Sequence, residues 1–162
     1  MKLVYLGLGS NLGDREAMIQ TALDSLKGPG LELKRVSSLY ETEPVGFRDQ
    51  GWFLNCAAEF GTELFPRQLL HRMQKTELAM GRVRSLKDGP RNIDIDILLY
   101  GNVVMKTEEL EIPHPRYRER RFTLAPLAEL NPSMRDPVTG QTMSEMLAGL
   151  SGQSVRLRNR AI

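Results

Sequence analysis

The chain has a single cysteine, Cys56, and only two histidines among its 162 residues. One cysteine cannot close an internal disulfide, and two histidines without cysteine neighbours cannot form the closed zinc sites of structural domains. No apolar run approaches the roughly 20 residues that span a bilayer, and glycines and polar residues interrupt the apolar start before it acquires the character of a signal peptide. These absences favour a cytoplasmic protein.

A strong excess of one charge is also lacking, because 22 lysines and arginines stand against 20 acidic residues, for a formal net charge of +2. This balance gives no electrostatic reason to expect a nucleic-acid binder or a membrane binder. Repeats and low-complexity tracts are absent, and 162 residues suffice for one core but not for two ordinary domains. We expect a single domain over residues 1–162, working as a monomer.

Apolar periodicity predicts alternating strands and helices along most of the chain. A strand over 3–8 leads through a glycine-containing turn into a helix that Ser10 or Asn11 would cap. Further strands are expected over 31–40, 53–60 and 93–100, with a helix beginning at Pro66 and a short strand over 103–105 beside the strand before it. This order predicts an α+β fold, a ferredoxin-like α/β sandwich with helices packed on a mostly antiparallel sheet.

Two aspartates alternate with isoleucines in the segment Ile93-Asp94-Ile95-Asp96-Ile97. In a strand the isoleucines would enter the core and both carboxylates would share the other face. At a separation of roughly 6.6 Å, two anions repel by about 2.5 kcal/mol at an effective dielectric of about 20. Solvated aspartates are the ordinary interpretation, but aspartate is a poor strand former and arginines stand just upstream. We therefore favour a Mg²⁺ site, completed by water and phosphate oxygens.

Basic residues cluster around the aspartate strand and suit a phosphate ligand. Arg82 and Arg84 would project to one side of an extended chain, where their forked donors can bind phosphate oxygens. Lys87 lies in a polar segment that fits either a mobile lid or an ordinary basic surface turn. His114, between two prolines and followed by arginines, favours a hydrogen bond to phosphate over a packing role.

Other polar positions leave two interpretations open. Gln74 and Glu77 could face one ligand from a predicted helix, although solvated pairs at that spacing are common. Residues 42–46 and 53–55 offer an aromatic face and an amide for a planar heterocycle, or else Phe53 belongs to the core and Asn55 to a turn. Neither a P-loop nor the G-x-G-x-x-G pattern follows a strand, so the common nucleotide-binding loops are not indicated.

Together these motifs resemble the hydroxymethyl-dihydropterin pyrophosphokinases of folate biosynthesis, which transfer pyrophosphate from ATP to a pterin alcohol. The segments that carry the resemblance stand in the order of that family and cover nearly the whole chain: YLGLGSNLGDR, SSLYETEPVG, FLNCAAEF, ELAMGRVR, GPRNIDIDILLYG and IPHPRYRERRFTLAPLAEL. The most specific of them is GPRNIDIDIL. The chain departs from many members at Ser85 and Asp88, where they carry lysine and tryptophan.

The resemblance implies a magnesium-dependent, in-line attack of the pterin hydroxyl on the β-phosphorus of ATP, giving the pterin diphosphate and AMP. It implies two Mg²⁺ ions held by Asp94 and Asp96, with Arg82 and Arg91 as further catalytic residues. The implied ATP site consists of Gln74, Glu77, Arg82, Arg84, Arg91, Ile97, His114, Tyr117 and Arg120. The implied pterin site consists of Thr42, Val45, Gly46, Phe53, Asn55, Asp94 and Phe122.

Two other classes of protein could use parts of this pattern. A two-metal nucleotidyltransferase would also place paired aspartates on a strand, but it would release pyrophosphate rather than AMP. A ferredoxin-like RNA-binding module would use the clustered arginines on a polymer, with a steep dependence on salt, and would leave the aspartates without a role. The basic and aromatic pattern of RNA-recognition strands is not present.

Overall fold

The computed structural model describes residues 1–43, 51–81, 92–152 and 155–159. A 3₁₀ turn, Tyr117–Glu119, precedes the third helix. The strands and helices in the described ranges are β1 Lys2–Ser10, α1 Arg15–Leu26, β2 Leu31–Val36, β3 Leu39–Thr42, β4 Phe53–Thr62, α2 Pro66–Ala79, β5 Asp94–Tyr100, β6 Met105–Lys106, β7 Glu111–Ile112, α3 Arg121–Leu130, α4 Met143–Ala148 and β8 Val155–Asn159.

Within the described residues, the main sheet has six strands in the order β5-β1-β4-β3-β8, with β2 also paired to β4. All of its pairs are antiparallel. Alternate residues of β1 enter two different cores, because Leu6 and Leu8 pack with α1 and α2 on one face while Tyr5 packs with α3 and α4 on the other. This arrangement confirms the predicted α+β sandwich of ferredoxin-like type.

The first helix begins later than the sequence indicated. Its N-cap is Asp14, whose carboxylate accepts a hydrogen bond from the Ala17 amide at 3.1 Å. The prediction that Ser10 or Asn11 caps the helix is wrong, because β1 continues to Ser10 and Asn11 donates from its side chain to the Gly51 carbonyl at 3.1 Å. Strands on both sides keep the end of β1 extended, so the turn falls after it.

The single strand predicted over 31–40 is interrupted at Ser37 and Ser38, and β2 and β3 each pair with β4. The Ser37 hydroxyl accepts a hydrogen bond from the Ala57 amide at 2.9 Å. Ser38 donates to the Glu129 carboxylate of α3 through its amide at 2.9 Å and its hydroxyl at 3.0 Å. The Ser37 amide still donates to the Ala57 carbonyl at 2.9 Å, so side chains supplement the backbone pairing at this point, and the bonds to Glu129 fasten α3 to the sheet.

The short strand predicted over 103–105 does not pair with the strand before it. Instead β6 pairs with β7 in a separate two-stranded sheet, with Met105 opposite Ile112. The turn after β5 closes through a hydrogen bond from the Val103 amide to the Tyr100 carbonyl at 2.9 Å, but the chain then leaves the main sheet. Among the described helices, none has the length and apolar character needed to cross a membrane.

Candidate active site

Asp94 and Asp96 lie on β5 at one edge of the main sheet, and both are partly exposed. The alternating Ile95 and Ile97 are only 5% and 4% exposed and belong to the core that packs with α1 and α2. This alternation confirms the prediction that the isoleucines enter the core while both carboxylates share the opposite face.

Asp94 begins a row of paired residues that crosses four strands. It stands opposite Gly9 on β1, Gly9 stands opposite Asn55 on β4, and Asn55 stands opposite Tyr40 on β3. Directly paired residues project to the same face of a sheet. The row therefore places a carboxylate and an amide on either side of a residue that has no side chain.

A parallel row runs from Asp96 through Gly7 to Ala57. Ala57 belongs to the core with α3 and α4. These helices therefore cover the Ala57 end of the second row. The first row lies towards the end of the sheet where β1 and β3 finish and β4 and β5 begin. The predicted strand over 3–8 left Gly9 in the following turn, whereas β1 continues to Ser10. The spacing of two residues between Gly7 and Gly9 was the signal that they share one face.

Asn55 is held in the sheet by Thr42. Its Nδ2 donates to the Thr42 hydroxyl oxygen at 2.7 Å, and the two residues are 7% and 1% exposed. Phe53 stands opposite Thr42 in the register and is partly buried. The alternative in which Asn55 belongs to a turn is wrong, because Asn55 lies within β4.

Glu77 from α2 contacts the aspartate strand from its outer edge. It is 9% exposed, and its Oε2 accepts a hydrogen bond from the Ile95 amide at 2.8 Å. Because Ile97 is two residues further along, its backbone groups face the same outer edge and its side chain faces the core. An ATP contact by Ile97 would therefore use the backbone. Gln74 lies one turn before Glu77 and is exposed.

His114 is a neutral hydrogen-bond donor close to this strand. Burial and the positive charge of Arg120 lower its pKa to about 4, although the Asp94 carboxylate acts in the opposite direction. Its Nδ1 accepts a hydrogen bond from the Arg116 amide at 3.2 Å, so the neutral ring carries its proton on Nε2. The His114 amide donates to the Leu98 carbonyl of β5 at 3.0 Å, which ties this segment to the aspartate strand.

Arg120, at the start of α3, lies beside one residue predicted for the ATP site and one predicted for the pterin site. Its guanidinium carbon lies 5.4 Å from the centre of the Phe122 ring, a cation–π distance. Its charge also acts on His114. The structure therefore brings the predicted ATP residues His114 and Arg120 into one neighbourhood with Phe122, which was predicted to contact the pterin.

Tyr117 is placed differently from the other predicted ATP residues. It is 0% exposed, and its hydroxyl donates to the carboxylate of Asp136. Burial and that hydrogen bond raise the pKa of Tyr117. Asp136 also accepts from Arg118 Nε at 2.9 Å and from the Thr139 amide at 2.7 Å. In this arrangement the Tyr117 side chain is a structural group, and its role in ATP binding stays a prediction.

Several predicted site residues lie outside the described residues, so their assigned roles stay predictions. In the phosphate-binding region they are Arg82, Arg84, Ser85, Lys87, Asp88 and Arg91, and in the pterin region they are Val45 and Gly46.

A magnesium site fits the residues that the structure does describe. In that part of the chain there is no group of three or more histidine, cysteine, aspartate and glutamate residues able to hold a metal. Mg²⁺ does not require one, because one or two carboxylates suffice when water and phosphate oxygens complete its octahedron. Asp94 and Asp96, on one face of a paired strand, supply that donor set.

The chain is similar to known proteins over most of its length. A family model described as 7,8-dihydro-6-hydroxymethylpterin-pyrophosphokinase matches residues 5–132. The 2-amino-4-hydroxy-6-hydroxymethyldihydropteridine pyrophosphokinase of Bacillus subtilis is 47% identical over 129 residues, covering 79% of this chain and 77% of that protein. The protein of the same name from Methylorubrum extorquens is 44% identical over 156 residues, covering 96% and 98%.

Other relatives are considerably longer than this chain. The folic acid synthesis protein fol1 of Schizosaccharomyces pombe is 45% identical over 157 residues, but the match spans only 21% of its length. A crystal structure of a Plasmodium falciparum HPPK-DHPS triple mutant with pteroate has the same fold, with a TM-score of 0.70 at 16% identity, covering 91% of this chain and 43% of that one. From the family match and the identities to the two shorter relatives, we conclude that the chain belongs to the 7,8-dihydro-6-hydroxymethylpterin-pyrophosphokinase family.

Proposed function

We propose that the protein transfers the pyrophosphoryl group of ATP to 6-hydroxymethyl-7,8-dihydropterin, giving the pterin diphosphate and AMP in tetrahydrofolate biosynthesis. The observation that carries this proposal is the row Asp94–Gly9–Asn55 in a chain of the pyrophosphokinase family. It sets the Asp94 carboxylate, a candidate metal ligand, and the buried Asn55 amide on one face of the sheet, with only Gly9 between them. A magnesium-nucleotide and a planar heterocycle could therefore meet there, as this transfer requires.

The aspartate strand supplies a rigid mount for the metal. Pairing of β5 with β1 and the bond from Ile95 to Glu77 hold the backbone that carries Asp94 and Asp96, so this strand is in place when ligands arrive. When bound, two Mg²⁺ ions held by these carboxylates would neutralise phosphate charge and lower the pKa of the pterin alcohol. The hydroxyl would then lose its proton to water as its oxygen forms a bond to the β-phosphorus, and the bond from that phosphorus to the oxygen of AMP would break.

Groups around β5 are suited to bind ATP. His114 stays neutral at physiological pH and offers Nε2–H to a phosphate oxygen, while Arg120 adds positive charge beside it. We assign Arg82, Arg84 and Arg91 to the same task, and the outer edge of β5 with Gln74, Glu77 and Ile97 to the rest of the nucleotide. Transfer of this kind depends on position and charge neutralisation more than on covalent help from the protein.

The pterin would lie on the Asn55 side of the row. The bond from Asn55 Nδ2 to Thr42 fixes the orientation of the carboxamide. Its oxygen, Oδ1, can then accept hydrogen bonds from ring N–H and amino groups. Phe53 and Phe122 would contact the faces of the heterocycle. We assign Val45 and Gly46 to the same pocket, and we propose that the enzyme works as a cytoplasmic monomer.

Incubation of the purified protein with ATP, Mg²⁺ and 6-hydroxymethyl-7,8-dihydropterin tests the proposal, with products separated by chromatography. We expect AMP and the pterin diphosphate in equal amounts, and no product when EDTA removes the metal. Pyrophosphate in place of AMP would indicate a nucleotidyltransferase instead. A folded protein that forms no AMP would contradict the proposal.

A further inference from the structure

Gly9 leaves the room that the Asn55 side chain occupies. A Cβ atom placed on Gly9 would stand 2.5 Å from Asn55 Oδ1 and 3.5 Å from its Cγ, closer at the oxygen than the 3.0 Å that real Cβ atoms keep. The next nearest atom, Cδ1 of Phe53, would be at an ordinary 3.7 Å. Asn55 therefore fills the volume that any larger residue at position 9 would need.

The backbone of Gly9 does not itself require glycine. Gly9 is not among the glycines with positive φ, and it lies in a strand that is paired on both sides. Extended conformation is open to every residue type. The absence of a side chain at this position is thus needed for the contact with Asn55 and not for the path of the chain.

Thr42 prevents the amide from moving out of the way. The bond from Asn55 Nδ2 to the Thr42 hydroxyl oxygen, 2.7 Å long, holds the carboxamide from the side opposite Gly9. Within the described residues, Oδ1 accepts no hydrogen bond from another group. The carboxamide is therefore held at its Nδ2 end, and its acceptor oxygen Oδ1 lies above the backbone of β1.

We propose that Gly9 is a positioning residue for the pterin: its missing side chain lets the Asn55 carboxamide lie across β1 with Oδ1 presented to the donor groups of the heterocycle. The inference rests on the proposed function and deepens it, since it names what sets the hydrogen-bonding geometry of the pterin subsite. A methyl group at position 9 would displace Oδ1, with Thr42 pulling against the displacement.

Gly7 provides a matched control on the same strand and face. A Cβ atom there would meet the Cδ1 of Leu98 at 3.3 Å and its Cδ2 at 3.4 Å. The end of the Leu98 side chain would have to give by only a few tenths of an ångström, less than Asn55 would have to give at Gly9. Gly7→Ala therefore makes the same chemical change two residues away without pressing on Asn55.

The test is the dissociation constant of 6-hydroxymethyl-7,8-dihydropterin, measured by calorimetry with saturating Mg²⁺ and α,β-methylene-ATP, which cannot be cleaved at the reacting bond. For Gly9→Ala we expect the pterin Kd to rise about ten-fold, as for the loss of one hydrogen bond. The Kd of the nucleotide analogue should stay within about two-fold of wild type, and so should the pterin Kd of Gly7→Ala.

A double-mutant cycle separates action through Asn55 from a general effect on the strand. Asn55→Ala removes the atoms that the new methyl group would strike, so Gly9→Ala should add nothing to the loss that Asn55→Ala causes by itself. Should Gly9→Ala alone not fold, the double variant keeps the test: a folded protein with the pterin affinity of Asn55→Ala supports the inference, and an unfolded one overturns it.

Two results distinguish failure of the inference from failure of the proposed function. Wild-type affinity in Gly9→Ala, or losses that simply add in the double variant, would overturn the inference while wild-type protein still binds the pterin. A wild-type protein that binds the nucleotide analogue but not the pterin would contradict the proposed function, and the inference with it.

Discussion

The carboxylate of Glu77 accepts a hydrogen bond from the backbone amide of Ile95, with 2.8 Å between Oε2 and the nitrogen. Ile95 separates the two aspartates on the edge strand of the main sheet, and Glu77 belongs to α2, on the opposite face from their carboxylates. The bond occupies an amide that no strand covers in the described sheet. Helix α2 thus helps to set the position of the strand that carries Asp94 and Asp96.

Removing the Glu77 carboxylate should destabilise the fold and weaken the support of the strand that carries Asp94 and Asp96. We expect Glu77→Ala to lower the free energy of unfolding by about 1–3 kcal/mol, because a buried amide loses its partner. Glu77→Gln keeps a carbonyl oxygen at the same place and should lose less. Urea unfolding of both variants measures the difference, and equal losses would contradict the assigned hydrogen bond.

Replacement of Asp96 tests the metal site more directly than replacement of Asp94, because we assign Asp96 no contact with the pterin. Replacement by alanine should reduce turnover by about two orders of magnitude or more, because a group that stabilises charge in the transition state is lost. Asp96→Asn, which keeps the shape without the charge, should be similarly impaired. Circular dichroism checks the fold, and near-normal turnover in either folded variant would exclude Asp96 as a necessary metal ligand.

Thr42 should affect the pterin and not the nucleotide. Thr42→Val keeps the volume but removes the oxygen that accepts from Asn55 Nδ2, so the carboxamide loses its fixed orientation. We expect KM for the pterin to rise about ten-fold, with KM for ATP little changed. Thr42→Ser, which retains the hydroxyl, is the control. The prediction fails when valine and serine give the same kinetics.

His114 should make stability depend on pH in a defined window. Its pKa falls from 6.5 to about 4 in the folded protein, chiefly through burial. As pH falls, the unfolded chain therefore binds the proton first, so the stabilisation is complete above pH about 6.5 and is lost progressively towards pH 4. The difference in pKa corresponds to about 3 kcal/mol.

A variant without a titrating ring isolates this effect from the acidic residues. The free energy of unfolding of wild type and His114→Asn should be measured in urea between pH 4 and 7.5. As pH falls through this range, the free energy of unfolding of the wild type should decrease more than that of His114→Asn. Parallel curves would show that the His114 pKa is not lowered by folding.

Tyr117→Phe tests whether the residue is structural or binds ATP. The variant removes one hydrogen bond to buried Asp136, which keeps Arg118 and the amides of Val138 and Thr139. We expect a loss of about 1–2 kcal/mol in the free energy of unfolding, with KM for ATP unchanged. A large rise in that KM, without a loss of stability, would restore the ATP role that sequence analysis assigned.

Local periodicity accounts for what the sequence predicted well. The helix does begin at Pro66, and the isoleucines and aspartates of β5 do face opposite ways, because each pattern depends on residues close together in the chain. The predictions that were wrong concern residues whose structure depends on a partner far away in the sequence. Ser37 interrupts a strand by bonding to Ala57, and Met105 pairs with Ile112 rather than with the strand before it.

By itself, the sequence determined that Asp94 and Asp96 share a strand face, since side chains in a strand alternate with a period of two. Only the tertiary structure decided what stands beside them. The register between β5, β1 and β4 sets Gly9 and Asn55 in line with Asp94, and the packing of α2 brings Glu77 to Ile95. Register and helix packing depend on burying apolar faces from distant parts of the chain, which no local pattern specifies.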